Sequence, residues 1–285
     1  MSFFLSLQAT RKLLWREKKH LLPLTLLDLT FFVLFALLHT FIVLQALPDL
    51  SAMNQLIAKE SLNVPQVPLD AENVDPSQLQ FSFPIEEFQT RFAVVIKFAA
   101  LYLLVMFILY NLFFAYTWLK TSILLKKKQM PYLQYLKRFA GINALWILLF
   151  IVGSYLLVIA ATATMFGQIA IISSGVVDAV GIALGVLLLY FAMISHALLI
   201  DYPTLSLLKK TFALGIQRIA TLGPAFLLIG ALYYLVVELL SRLSAISVVL
   251  SFVLFILLFV PLVTGSRMFF MAAAEEASRR MKKET

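Results

Sequence analysis

The chain has 285 residues, of which 62% are hydrophobic and 13% charged, with a formal net charge of +8 and a mean hydropathy of +0.94. A soluble domain of that length needs far more polar surface, so the composition points to hydrocarbon as the main solvent. The lack of cysteine excludes disulfides, thiolate metal sites and cysteine nucleophiles.

Residues 1–20 carry Arg11, Lys12, Arg16, Lys18 and Lys19 and read as a cytoplasmic basic amphipathic segment. The apolar run that follows is too long for a signal-peptide core, so a retained anchor is expected. A core of ~30 Å at ~1.5 Å per residue predicts six spans. They are Leu21 to Leu47, Phe92 to Leu119, Ile142 to Phe166, Val176 to Ile200, Ile219 to Ser241 and Leu243 to Gly265. Between the first two lies an acidic loop, residues 48–91, where five prolines imply an extended course with one short helix near Asp49 to Lys59. The last two spans meet so closely at Ser241, Arg242 and Leu243 that they must form a hairpin. Residues 267–285 read as a cytoplasmic charged tail.

Basic loops resist translocation, and nineteen of the twenty-three Lys and Arg fall in residues 1–20, 119–141, 201–218 and 266–285. Both termini are therefore expected in the cytoplasm, with the protein in the cell membrane. Trp15, Trp118 and Trp146 fall at the inner boundary, where an indole N–H stays wet. The bases are spread over short loops beside spans, which favours a lipid-facing rim of anionic inner-leaflet contacts and argues against a nucleic-acid partner.

Two inner segments keep an apolar rhythm among their bases. In residues 203–218, Leu208, Phe212 and Ile216 recur at helical spacing and continue to Ile219, with Lys209, Lys210, Gln217 and Arg218 mostly elsewhere on the helix. Residues 122–140 repeat the design with Lys126, Lys127, Lys128, Lys137 and Arg138. Both are expected as in-plane helices with snorkelling lysines. The fold expected is thus all-α: a polytopic membrane protein whose six helices, within residues 21–266, form three hairpins, with a cytoplasmic amphipathic helix before the first, third and fifth spans. Aligning FAGINALWILL with IATLGPAFLLI on Arg138 and Arg218 suggests a threefold repeat of pattern about the membrane normal.

This arrangement, with DYPTLSLLKKTFALGIQRIATLGPAF at Asp201 to Phe226, resembles the membrane domain that accompanies some glycerophosphodiester phosphodiesterases and its stand-alone relatives of unknown function. In those relatives the phosphodiesterase chemistry belongs to a separate soluble domain that is not read in these residues. The resemblance therefore implies no catalytic residue here.

An ionisable residue in hydrocarbon costs about 2.5–3.5 kcal/mol on insertion scales, so each needs a reason. Asp28 is expected near the inner face, favoured by the start of its helix. His39 falls on nearly the same face but roughly 16 Å along the axis, and is expected as a buried, hydrogen-bonded histidine. Lys97, Asp178, Glu238 and Arg242 could gather as an outer-leaflet polar cluster for an anionic headgroup or solute, with Glu238 and Arg242 also suited to local i,i+4 pairing. His196 and Asp201 are too poorly spaced for a metal site. Glu275, Glu276 and Arg280 match the first motif of an intramembrane prenyl-protease family only by accident, and Glu275 with Arg279 and Glu276 with Arg280 are expected as i,i+4 pairs. Gly181 and Gly185 form GxxxG, which with Gly153 and its small neighbours predicts close packing of the third and fourth spans. With no nucleophile and base, no ligand set and no phosphate loop, neither a cofactor nor an enzyme is expected. The leading expectation is a non-enzymatic protein that organises lipids or acts as an accessory or scaffold to a protein partner or a second copy; the alternative is a small-solute or lipid transporter or translocase.

Overall fold

The protein is described by a computed structural model covering residues 8, 18–62, 84–126, 128–165 and 174–284. The described residues are all-helical: α1 (Lys18–Leu62), α2 (Ile85–Lys126), α3 (Tyr132–Met165), α4 (Ser174–Leu198), α5 (Thr204–Gln217), α6 (Ile219–Ser244), α7 (Val248–Leu254), a π-helical turn (Phe255–Phe259) and α8 (Val260–Glu284). Six stretches are long and apolar enough to cross a membrane, as expected: Lys19–Lys59, Ile85–Lys126, Tyr132–Ile159, Gly175–Leu198, Ile219–Ser244 and Val248–Met281. A multi-pass membrane protein follows from them.

Several boundaries differ from the sequence reading for local reasons. α1 runs through Pro48 to Leu62, so the short helix expected near Asp49 to Lys59 is its continuation. Proline removes one helical hydrogen bond but does not stop a helix whose following residues, DLSAMNQLIAKE, favour one. No separate helix spans residues 122–140: α2 ends at Lys126, the backbone opens around Pro131, and α3 starts at Tyr132 and continues into the span. Pro131 O accepts the Tyr135 N–H at 3.1 Å, which fits proline's place at a helix entrance. The segment before the fifth span is a distinct helix, α5, set off from α6 at Arg218 (φ −117°, ψ 25°). The first basic segment lies outside the described residues, apart from Gln8 and Lys18 to His20. Residues 267–285, read as a tail, are helical as far as Glu284, and Met268, Phe270, Met271, Ala273 and Ala274 are fully buried.

The chain divides into two compact units, residues 1–31 with 110–285, and residues 32–109. In the larger unit, α3 packs on α4, α4 on α5 and α8, and α6 on α7 and α8. Its core gathers Tyr135, Phe139 and Ile142 at the start of α3, Ile194 and Leu198 at the end of α4, and Leu207 and Leu214 of α5 around the buried part of α8. Further along α3, Leu148, Phe150, Ile151 and Leu156 are exposed, as are Val176 and Ile182 of α4. Apolar surface of that extent suits hydrocarbon as the surrounding solvent. The smaller unit is the long arm of α1 and the first part of α2. Arg91 bonds Asp49 at 3.4 Å and Glu87 at 3.0 Å there. His39 is exposed rather than buried, and its ring stacks on Phe35 at 6.1 Å and meets the edge of Tyr102 at 5.6 Å.

Candidate functional site

The larger unit keeps its polar side chains in three layers. The first is an ion pair inside the bundle. Asp28 of α1 and Arg267 of α8 have side chains only 1% and 3% exposed. The guanidinium grips the carboxylate with both terminal nitrogens, at 3.2 Å to Oδ1 and 2.7 Å to Oδ2. Such a planar fork is the strongest neutralisation a buried carboxylate can receive from one side chain. Thr264 Oγ1 donates to Asp28 Oδ2 at 2.5 Å, Arg267 donates to Thr117 Oγ1 at 2.5 Å, and Thr25 Oγ1 donates to Thr264 at 3.4 Å. Arg267 Nε is buried with no hydrogen-bond partner among the described residues. Tyr233, on α6, exchanges a hydrogen bond with Ser266 beside the pair at 3.0 Å. The π-helical turn before α8 takes one extra residue and so shifts the register in which Thr264 and Arg267 reach α1.

A neutral chain makes the second layer. Asn143 Nδ2 donates to Asn111 Oδ1 at 2.8 Å, and with the amide in that orientation the His196 Nε2–H donates to Asn143 Oδ1 at 2.8 Å. The imidazole is stacked on Phe139 with centroids 4.6 Å apart and lies 5.4 Å from Trp118. Trp146 Nε1 donates to Ser195 Oγ at 3.0 Å, and Trp118 and Trp146 are 5% and 6% exposed. The wet indoles expected at the inner boundary are thus dry, their rings filling the core; Trp15 lies outside the described residues. Ordinary hydrogen bonding accounts for His196, which faces Asn143 and not Asp201.

The third layer is an ionic cluster where the end of α2, the turn between α4 and α5, and α8 meet. Lys126, only 3% exposed, donates to Ala197 O at 2.7 Å, pairs with Asp201 and reaches Glu275 at 3.3 Å. Lys128 takes the other oxygen of Asp201, and Arg279 Nε donates to Glu275 Oε1 at 3.0 Å. The hydrogen bond that Lys128 donates to Asp201 raises its ammonium above its ordinary value, against the pull of desolvation. Burial, the largest single influence on Asp201, favours its neutral form, but Lys126 and Lys128 together outweigh it and hold the carboxyl below its ordinary value.

The sequence-derived site residues fall as follows. Lys126 was expected to touch lipid and instead is buried in the ionic cluster, because Asp201 and Glu275 both face it. Lys127 lies outside the described residues. Lys128 is half-exposed, Lys137, Lys209 and Lys210 are exposed, and Arg138 and Arg218 are partly buried. In the outer-leaflet set, Glu238 and Arg242 pair with each other at 2.8 Å on an exposed turn of α6, the local i,i+4 pairing also foreseen. Asp178 is exposed on α4, and Lys97 is exposed in the smaller unit. Glu275 with Arg279 and Glu276 with Arg280 form the i,i+4 pairs expected. α3 and α4 do pack, but the close approach is at Gly153, where a Cβ would come within 2.5 Å of Leu184 Cδ2; one at Gly181 would meet Leu157 at 3.5 Å, and one at Gly185 would meet open space. Missed in sequence were Arg267, counted among the bases of the tail, and the neutral groups Thr117, Thr264, Asn111 and Asn143, which carry no charge or motif to mark them. No protein-family model matches the chain, and comparison with curated proteins and with solved structures gives no significant match.

Proposed function

We propose that this protein is a non-enzymatic organiser of the membrane, an accessory or scaffold that holds the anionic inner leaflet and through it a protein partner or a second copy. The same reading places it in the cell membrane with both termini cytoplasmic, its spans as three hairpins, and no nucleic-acid partner. The resemblance to membrane domains that accompany phosphodiesterases fits this role, since such a domain serves chemistry performed elsewhere.

One observation carries the proposal: α5 presents three different faces. Leu207, Thr211 and Leu214 are buried against the bundle. Phe212 and Ile216, 42% and 65% exposed, make an apolar stripe on the next third of the helix, and Ile219, past the break at Arg218, is also 60% exposed. Lys209, Lys210 and Gln217, all exposed, occupy the remaining third. A helix fixed to a protein on one face, apolar on the second and basic on the third matches the boundary between headgroups and hydrocarbon. The chain's lack of cysteine makes a labelled Phe212→Cys unique. Its fluorophore is expected to be quenched by doxyl lipids in anionic nanodiscs, and reversal of Lys209 and Lys210 to Glu is expected to relieve that quenching with the spans still inserted. Equal quenching before and after charge reversal would sink the reading.

The alternative is a small-solute or lipid transporter or translocase, and it draws on the Asp28–Arg267 pair, because ionisable residues inside a membrane bundle commonly mark a path. It requires that a charge-free pair such as Asp28→Leu with Arg267→Met abolish flux at unchanged expression.

A further inference from the structure

The ionic cluster encloses a cavity of about 280 Å³ lined by Lys126, Lys128, Asp201, Tyr202, Glu275, Ser278 and Arg279. Every lining side chain is polar, unlike the mostly apolar walls of sites for drug-like ligands. Counting what each group has left to give decides its chemistry. Lys126 has three N–H donors and three acceptors around it, Ala197 O, Asp201 Oδ2 and Glu275 Oε2. Asp201 spends its other oxygen on Lys128, and Glu275 spends its other oxygen on Arg279 Nε. Both carboxylates are therefore engaged by cations at each oxygen, which leaves little to attract a cationic ligand. Unspent in hydrogen bonding are the remaining N–H groups of Lys128, the terminal nitrogens of Arg279, and the hydroxyls of Tyr202 and Ser278, which make no further hydrogen bond among the described residues. Three cations against two carboxylates leave the cavity net positive. Lys128 and Arg279, at 56% and 65% exposed, stand where a ligand can reach them.

We propose that this cavity binds a phosphate-bearing anion, the chemistry shared by a phospholipid headgroup and a soluble phosphate ester. Lys126 acts as a buried clamp that positions Asp201 and Glu275, and these in turn hold Lys128 and Arg279 at the two sides of the phosphate. Ser278 and Tyr202 supply neutral donors, and the volume admits a headgroup without its acyl chains. The headgroup form of this inference rests on the membrane-organising reading; the anion site itself does not.

The test uses the purified full chain in a neutral detergent, titrated calorimetrically with glycerol 3-phosphate and, separately, with dihexanoyl phosphatidylglycerol. Saturable binding of at least one is expected. The Lys128→Gln/Arg279→Gln pair should weaken it by about tenfold or more, in line with the strength of charge-assisted hydrogen bonds. Ser278→Ala, which keeps every ion pair, should weaken it severalfold. Binding of the lipid alone identifies a headgroup site, and equal or tighter binding of glycerol 3-phosphate identifies a soluble ester; either supports the proposal. Saturation by neither probe, or undiminished binding in the Lys128/Arg279 pair with its tryptophan emission intact, overturns it. Quenching at Phe212→Cys is read separately, so loss of the membrane-docking reading is told apart from loss of this site.

Discussion

Removing one partner of the Asp28–Arg267 pair leaves an uncompensated charge in a place with almost no water. Arg267→Met would strip Asp28 of both guanidinium contacts, at 3.2 and 2.7 Å, and leave a side chain 1% exposed with Thr264 as its one remaining donor among the described residues. Breaking such a pair costs about 3–5 kcal/mol, and Asp28→Leu should cost a similar amount by stranding Arg267. Replacing both together removes the charges and their desolvation at once, so Asp28→Leu/Arg267→Met is expected to cost no more than either single change. The cycle should then show a coupling at least the size of one single substitution, about 3–5 kcal/mol or more. Reversible unfolding by SDS in mixed micelles at neutral pH measures all four proteins on one scale. Single variants within about 1 kcal/mol of wild type, or a double variant equal to the sum of the singles, would refute the reasoning, since the charges would then be hydrated or unpaired in the membrane.

The other predictions concern packing, the neutral chain and pH. A Cβ at Gly215 would lie 2.6 Å from the Phe191 ring and 3.0 Å from Ile194, so Gly215→Ala should destabilise by about 1–3 kcal/mol. At Gly185 a Cβ meets open space, so Gly185→Ala in the same unfolding assay should be neutral or slightly stabilising; equal effects at the two positions would show that α5 does not press on α4. Asn143→Leu removes a hydrogen-bond partner of Asn111 and of His196 and is expected to cost about 2–5 kcal/mol, while Asn143→Gln should recover little, because an extra methylene must fit among buried neighbours. Asp201, held below its ordinary 3.8, contributes stability that is full above that value and lost as pH falls through the lower folded value. Lys128, held above its ordinary 10.5, contributes stability that is full below 10.5 and lost as pH rises through the higher folded value. Thermal denaturation should therefore show an acid loss that shrinks in Asp201→Asn; an unchanged acid loss would mean that the cluster's carboxylate is not held by Lys126 and Lys128.

The spans were legible because hydrocarbon demands a continuous apolar run, and that demand is written residue by residue in Ile142 to Phe166 or Val176 to Ile200. Helix ends near water are set by competing local terms, which is why Pro48 interrupts the sequence pattern but not α1, and why Pro131, which fits a helix start, marks the entrance to α3. Trp118 and Trp146 were placed by composition at a wet boundary, where tertiary packing of Phe139, His196 and Ser195 makes a dry core instead. Counting Lys126 as a lipid contact failed for the same reason: its fate depends on Asp201 and Glu275, 75 and 149 positions further along the chain. Arg267 did leave a signal. An Asp in the first span needs a counter-charge, and MAAAEEASRRMKKE after Gly265 contains no residue that would end a helix, so a sixth span prolonged past its apolar run was readable from propensity together with charge balance.

These polar layers change what α8 is for. Arg267 and Glu275 are eight residues apart on one helix, about 12 Å along its axis and roughly 80° around it, so both lie on one side with Met271 midway. One face of α8 thus carries the inner ion pair and the outer ionic cluster, with Met271 fully buried and in contact with Ser122 of α2 between them. A charged face buried against α1, α2 and the α4–α5 turn cannot slide by part of a turn without separating two sets of opposite charges together, so the helix has one strongly preferred register. That fixed register is what holds Ser278 and Arg279 at the cavity, and α5, packed on the same bundle, inherits from it the angle at which its apolar stripe meets its surroundings. The buried pair therefore stands to the exposed basic surfaces as a support to the parts it aligns.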